Sequence, residues 1–499
     1  MGYGLPQPHA RPDEDKIVGP ALAIARDGDP HPRQFTYPSL PTYLDTLVVL
    51  AARAAGRLDL DGSLRDYVEA LRLCRGLGVA FGVATIAATF ALALRAHGSR
   101  AVALLAALIA ATNFLHVLYS RFATVDTATT LFVTLTLLFA VRAGQGHRLR
   151  DYLWAGACCG LTASCKYNLG LVGLGLAAVA ILRSPGGPAP PLRQRLVRLS
   201  LAGVAAVVAF ALTSPYCVLR FDAVVRALRA TSEILYAGPE LALFVHLRET
   251  FPAGFGWPVF LAAAAGIVRG LRLRRPADLA LLGFVLPVLL NVATLRTVFP
   301  RYLVSLVPPL AVMAAELVLV ALPVGRLVAL ASAVAMVLPS LAHAVAFDGI
   351  AARPDTRVLA AAWIEARVPP RAGVITCKGY GSPVLTGVRN EETYCGMKRV
   401  EAGFPGYRYL VTQQHPAFTL TGVRPGVLAY LRKRGTPVAE FSPFRPGASD
   451  VPYFYSADAF FMPFSGFGAV ERGGPILEVW DLDRIRNLAP PASSPAPEG

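Results

Sequence analysis

The stretch Leu77-Gly78-Val79-Ala80-Phe81-Gly82-Val83-Ala84-Thr85-Ile86-Ala87-Ala88-Thr89-Phe90-Ala91-Leu92-Ala93-Leu94 decides the fold. It carries no charged side chain, and a helix of roughly 20 such residues crosses a hydrocarbon core of about 30 Å. With its flanks it defines a candidate span at 72–95. Similar runs follow at 101–119, 127–143, 152–165, 167–183, 198–214, 255–270, 278–295, 302–322 and 326–346, with 152–165 the shortest. After Phe347 they stop. Of the 499 residues 54% are hydrophobic and 16% charged, far more apolar than an ordinary soluble domain. The expectation is a polytopic α-helical membrane protein of about ten spans.

The net charge of +16 is mostly arginine placed between these runs. Arg95 and Arg100; Arg142, Arg148 and Arg150; Arg183, Arg193, Arg195 and Arg198; Arg269, Arg272, Arg274 and Arg275; and Arg326 fall in every second connection. Positive charge in short loops marks the cytoplasmic side. The other connections, 120–126, Lys166, 215–252 and 295–301, then face outward, as does everything after residue 347. No basic stripe interleaved with aromatics is present, which argues against nucleic acid as a partner.

This alternation fixes the reading of the first 70 residues. A full span at 39–55 would invert every later segment, so 39–55 is expected to lie along the outer surface, within an extracytoplasmic first loop, 1–70. A loop outside with no span before it implies a further transmembrane helix upstream of Met1. The helical region is set at 71–347. Its outer loop 215–252 has Val224, Val225, Leu228, Ile234, Leu235, Leu241, Phe244 and Val245 at helical spacing and reads as a surface helix.

From residue 348 to 489 the pattern becomes that of a small extracytoplasmic α/β domain. Helices are expected at 357–367 and 427–434, and strands at 374–377, 407–412, 438–441 and 476–482. The Pro-, Ala- and Ser-rich tail 490–499 reads as disordered. Cys74, Cys158, Cys159, Cys165 and Cys217 fall in or beside apolar runs as small hydrophobes. For Cys377 and Cys395, a disulfide and two free thiols both stay open.

Polar chemistry gathers at the outward ends. Arg11-Pro12-Asp13-Glu14-Asp15-Lys16, followed by Asp27-Gly28-Asp29, His31 and Phe35-Thr36-Tyr37-Pro38-Ser39-Leu40-Pro41, reads as a polar loop. Arg121 to Asp126, Lys166-Tyr167 and Arg301-Tyr302 face the same side. Charges there are costly unless paired, solvated or used. A carboxylate such as Asp13 can take a proton from a hydroxyl, and Glu14 with Asp126 can bind a divalent metal. Lys166, Arg301 and Arg121 can hold a phosphate. Plainer roles compete: an Asp126–Arg121 ion pair, a snorkelling Lys166 and an interfacial Arg301. His9, His31 and His116 read as surface or packing residues, since none has a second histidine at i+4.

The run Tyr3-Gly4-Leu5-Pro6, the pair Asp13-Glu14, Tyr37-Pro38-Ser39-Leu40, Ser120-Arg121-Phe122-Ala123-Thr124-Val125-Asp126, Gly160-Leu161-Thr162-Ala163-Ser164-Cys165-Lys166-Tyr167 and Pro300-Arg301-Tyr302-Leu303 with Pro308 resemble a known family. It is that of the bacterial protein-mannosyltransferase and aminoarabinose-transferase-like membrane glycosyltransferases of the GT-C fold. The resemblance implies inverting transfer of a sugar from a polyprenyl-phosphate carrier to an envelope glycan, lipid or protein acceptor outside a bacterial plasma membrane. It implies Asp13 as catalytic base, Glu14 and Asp126 organising the site or a metal, and Lys166, Arg301 and Tyr302 near the carrier phosphate. One departure stands out: the Lys-Pro-Pro block of aminoarabinose transferases is Tyr37-Pro38-Ser39 here, which shifts the phosphate clamp to Arg301 and Lys166. A lipid-linked glycan transporter and a non-catalytic envelope assembly subunit are the competing classes.

Overall fold

The computed structural model describes residues 2–7, 11, 13–182, 190–238, 240–321, 325–416, 423–456, 458 and 461–487. The 490–499 tail and His9 lie outside them. The chain divides into two compact units, Asp13–Val345, and Gly2–Pro12 together with Ala346–Gly499. The expected first-loop unit 1–70 is therefore split: its first residues belong with the carboxy-terminal unit and the rest with the helices.

The helical unit opens with α1, Asp15–Asp27, where a polar loop was expected. The acidic run is the start of a helix, with Asp15 in its first turn, where carboxylates are favoured by the helix dipole. It ends at Gly28, whose left-handed conformation suits glycine. The 39–55 stretch is α2, Leu40–Ala54, headed by Pro41. Then come α3 (Leu64–His97), α4 (Arg100–Thr112), α5 (Phe114–Ser120), α6 (Val125–Gly146) and α7 (Leu149–Cys165). A 3-10 turn, Tyr167–Val172, leads into α8 (Gly173–Ile181), followed by α9 (Leu192–Thr213). The long outer loop folds as α10 (Pro215–Leu219), α11 (Phe221–Leu235), α12 (Ala242–Val245) and α13 (Phe251–Phe255). Its helix α11 buries only Val224 and exposes Phe221, Leu228 and Ile234. The unit closes with α14 (Trp257–Leu273), α15 (Pro276–Ala293), a 3-10 turn Pro300–Leu306, α16 (Val307–Glu316) and α17 (Arg326–Ala351).

Each apolar run is helical, but the runs are not ten uniform rods. Among the described residues six helices are long and apolar enough to cross a membrane singly, and eight if two bent pairs each count as one span. The bends have causes. At Asn113 the α4–α5 run turns by 57°, and the Asn113 side chain accepts from the His116 amide to start α5. At Gly256, whose φ of 80° suits glycine, the α12–α13 run turns by 112° into α14. Ser340 of α17 ties both breaks, its hydroxyl accepting from the Phe114 amide at 2.7 Å and donating to the Gly254 carbonyl at 3.1 Å. Helices α7 and α9 pack backbone to backbone, since a Cβ on Gly156 or Gly160 would stand 2.0 Å from the Ala202 carbonyl oxygen or 2.2 Å from that of Ala206. The opposite face of α9 exposes Val197, Val204, Val207 and Leu212, the side chains of a lipid-facing helix.

The carboxy-terminal unit is a five-stranded sheet with helices α18 (Thr356–Arg367), α19 (Met397–Glu401), α20 (Pro425–Arg434) and α21 (Leu482–Asn487). Strands β1 (Val374–Cys377), β2 (Asn390–Thr393), β3 (Tyr409–Gln414), β4 (Ala439–Phe441) and β5 (Ile476–Asp481) run in the order β2-β1-β3-β5-β4. The first three pair in parallel, and β5 runs antiparallel to β3 and β4. Buried Ile375, Leu410, Leu431 and Trp480 fill one layer of its core. Cys377 and Cys395 form a disulfide. Within the same unit Arg11 reaches the Asp458 carboxylate through both Nη atoms, and the Gln7 side-chain carbonyl accepts from the Val384 amide at 3.0 Å.

Candidate active site

Four segments far apart in sequence bring their charges together in the helical unit. Asp13 stands just before α1 in a left-handed conformation (φ 73°) that aspartate adopts more readily than most residues. Its Oδ1 accepts from Lys16 Nζ at 2.5 Å. Its Oδ2 accepts from Arg301 Nη1 at 2.6 Å and from the Tyr37 hydroxyl at 3.2 Å. Arg301 is set by the proline-led turn Pro300–Leu306 and lies 4.6 Å over the Phe299 ring. Both members of the Asp13–Arg301 pair are nearly buried.

Asp126 comes from the first turn of α6 and meets Lys166, the residue closing α7, at 3.0 Å. The ammonium also lies 4.5 Å from the centre of the Tyr302 ring. This Lys166 is buried, not snorkelling, and its partner is Asp126, where the plainer alternative had paired Asp126 with Arg121. Burial pushes the Lys166 ammonium down from the usual lysine range, Asp126 pulls it back up, and Arg301 pushes it down again. Burial likewise pushes the Tyr37 phenol upward, with Arg301 opposing and Asp13, Asp126 and Tyr302 reinforcing. Two carboxylates, two cations and Tyr37 thus feel one another within one cluster. Arg121, a further candidate phosphate ligand, caps α5 and donates from Nε to the Val117 carbonyl at 3.4 Å.

Glu14 has a different setting. Fully buried, it takes Arg75 Nε at 2.8 Å and Arg75 Nη2 at 2.6 Å, while Oε1 also accepts from the Ala123 amide at 2.9 Å. It therefore ties the start of α1 to α3 and to the turn before α6. Such a bidentate pair organises a site by fixing backbone positions. Arg75 went unnoticed in the sequence, although an arginine at the edge of the longest apolar run is the signal that a buried acid awaits it. Lys16 was passed over as part of a charge run.

Glu14 and Asp126, the expected metal ligands, each face a buried cation of the protein: both Glu14 oxygens accept from Arg75 and Oε1 also from the Ala123 amide, while Asp126 Oδ1 accepts from Lys166. Among the described residues no group of three or more His, Cys, Asp or Glu stands together as a metal site.

Around the cluster, Tyr167 donates to the Phe35 carbonyl at 3.3 Å and Ser214 Oγ accepts from the Ser39 amide at 3.1 Å, which fixes the loop carrying Tyr37. His31 packs edge-on against Tyr216 and is a packing residue; His116 is buried in α5. Asp45 of α2 lines a small cavity with Cys74, Leu77, Ala123 and Thr124. Burial pushes its carboxyl up to about 7, with a Cys74 hydrogen bond opposing.

Comparison with known proteins bears on the fold. Residues 70–218 match the family described as dolichyl-phosphate-mannose-protein mannosyltransferase. A search of curated protein sequences gives no significant match. Among solved structures, ArnT from Cupriavidus metallidurans bound to undecaprenyl phosphate superposes with a TM-score of 0.53 at 15% identity, over 97% of this chain and 96% of that one. Its apo state gives 0.52 at 15% identity, over 96% and 94%. The oligosaccharyltransferase of Archaeoglobus fulgidus gives 0.50 at 13% identity over 82% of this chain, which spans 65% of the archaeal protein's length. At these identities the likeness is one of fold: a helical membrane unit of the GT-C type with a carboxy-terminal α/β unit.

Proposed function

We propose that the protein is an inverting glycosyltransferase that moves a sugar from a polyprenyl-phosphate carrier to an envelope acceptor. The observation that carries this reading is the meeting of Asp13, Tyr37, Asp126, Lys166 and Arg301, drawn from five separate segments, at the ends of apolar helices. A carrier with a polar head and a lipid tail reacts at such a place, where the tail stays in hydrocarbon and the anion meets cations.

In the proposed reaction the acceptor hydroxyl gives its proton to Asp13. Its oxygen electron pair attacks the anomeric carbon. The bond from that carbon to the phosphate oxygen breaks, and its electrons leave on the phosphate, whose charge Arg301 and Lys166 stabilise. Base and leaving group on opposite faces favour in-line displacement and inversion. Asp126 holds Lys166 in place, the Tyr302 ring supports its ammonium, and Glu14 fixes the chain on which Asp13 sits.

The site is proposed to open on the outer side of a bacterial plasma membrane. The arginine-rich connections support this orientation, and so does the Cys377–Cys395 disulfide, a bond that persists in oxidising compartments. The test is transfer from radiolabelled polyprenyl-phosphate sugars to envelope acceptors by the purified protein in vesicles, with the anomeric configuration of the product read by NMR. Inverted product is expected. Retained configuration, or carrier moved across the bilayer with no transfer, overturns the reading.

A further inference from the structure

We propose that Tyr37 is a positioning residue for the base: its hydroxyl, donating to Asp13 Oδ2, sets which face of the carboxylate stays open to the acceptor. The inference rests on Asp13 being the proton acceptor. Donors from three different elements reach that carboxylate: Lys16 from α1, Arg301 from the Pro300–Leu306 turn and Tyr37 from the loop before α2. Asp126 and Lys166 stand within electrostatic reach of the same cluster.

The three donors are not equivalent. Lys16 has a side chain that is 45% exposed, and ammonium groups on flexible stems hold geometry poorly. Arg301 is the group a carrier phosphate competes for, so its hold on Asp13 weakens when the donor binds. Tyr37 has neither weakness. Its ring is rigid, and its loop is fixed by the Tyr167 hydroxyl on the Phe35 carbonyl and by Ser214 on the Ser39 amide. A neutral hydroxyl also has little attraction for phosphate compared with a cation. When Arg301 turns to the phosphate, Asp13 regains basicity and Tyr37 keeps it in register.

The experiment compares Tyr37→Phe, Tyr37→Lys and Asp13→Asn with the unmodified protein. Tyr37→Phe removes one hydroxyl and keeps the ring, so folding is preserved. Turnover is expected to fall about tenfold, with KM for the polyprenyl-phosphate sugar unchanged within about twofold. Losing a donor to the charged carboxylate moves the acid limb of the kcat/KM profile to higher pH by about half a unit or more. Infrared titration reads the same group without turnover: the carboxyl band absent from Asp13→Asn is expected to titrate at higher pH in Tyr37→Phe. An unmoved band or acid limb, or a raised KM rescued by Tyr37→Lys, overturns the assignment and makes Tyr37 a phosphate ligand or a packing residue. Full transfer by Asp13→Asn, by contrast, removes the base itself, and the infrared arm still decides whether Tyr37 acts on that carboxylate.

Discussion

Helix α3 meets a buried acid at two levels, and the two levels are built differently. Arg75 meets Glu14, and His97 in its last turn meets Glu316. The rise of an α-helix puts these positions about 33 Å apart, the thickness of a hydrocarbon core. At the His97 end, Glu316 gathers Arg269, Arg275 at 2.9 Å and His97 at 3.7 Å, while Arg275 also binds both oxygens of Asp278 and closes the capping box of α15. Acids and bases there answer one another, and the arginines are partly exposed. At the Arg75 end Arg75, Glu14, Asp13 and Arg301 are buried or nearly so. One carboxylate, Glu14, is locked; its sequence neighbour Asp13 is held by Lys16, Arg301 and Tyr37, which the proposed reaction needs to be exchangeable. On that proposal the difference separates a structural clamp from a reactive cluster, two uses of the same side chains.

Arg75→Ala leaves the Glu14 carboxylate buried with its guanidinium gone, which costs about 3–5 kcal/mol. A fall in folded yield and a thermal midpoint lowered by many degrees in detergent are expected. An unchanged midpoint means Glu14 is not a lock.

Asp45 gives a smaller, pH-dependent effect. Because its folded-state carboxyl is raised from 3.8 to about 7, the folded protein binds the proton more tightly than the unfolded chain between those values. Stability falls as pH rises through that window. Asp45→Asn is expected to stabilise by about 2 kcal/mol at pH 8 and by far less at pH 5, measured as midpoint shifts at the two pH values. Equal shifts contradict the assignment.

The smallest effect belongs to the His97 end. Glu316→Gln keeps hydrogen-bonding capacity, and its arginine partners can reach water, so a loss of about 1 kcal/mol is expected. Transfer per folded molecule stays the same. A large loss of turnover in this variant would erase the distinction between the two ends.

Apolar runs and arginine loops made the helices legible, because length and hydropathy are properties of one segment. The strands at 374–377, 438–441 and 476–482 were legible for the same local reason. Helix α1 was not: Gly19 and Pro20 interrupt it, and its acidic start looks like a solvated turn. Strand β2, Asn390–Thr393, hides because three of its four residues are exposed and polar; its partner β1 makes it a strand. The site was half legible. Asp13, Asp126, Lys166 and Arg301 stand out by charge and resemblance. Their pairing does not, since Lys166 had two acids and a membrane surface to choose from. The Arg11–Asp458 contact joins residues 447 apart, a separation no single-segment pattern encodes.

The proposed role of Asp13 as acceptor of the hydroxyl proton is decided by single-turnover transfer by Asp13→Asn in vesicles, with binding of the polyprenyl-phosphate donor and the thermal midpoint measured on the same preparation. Transfer slowed by at least about 100-fold is expected, with donor binding and folding retained. Transfer within twofold of the unmodified protein overturns that role.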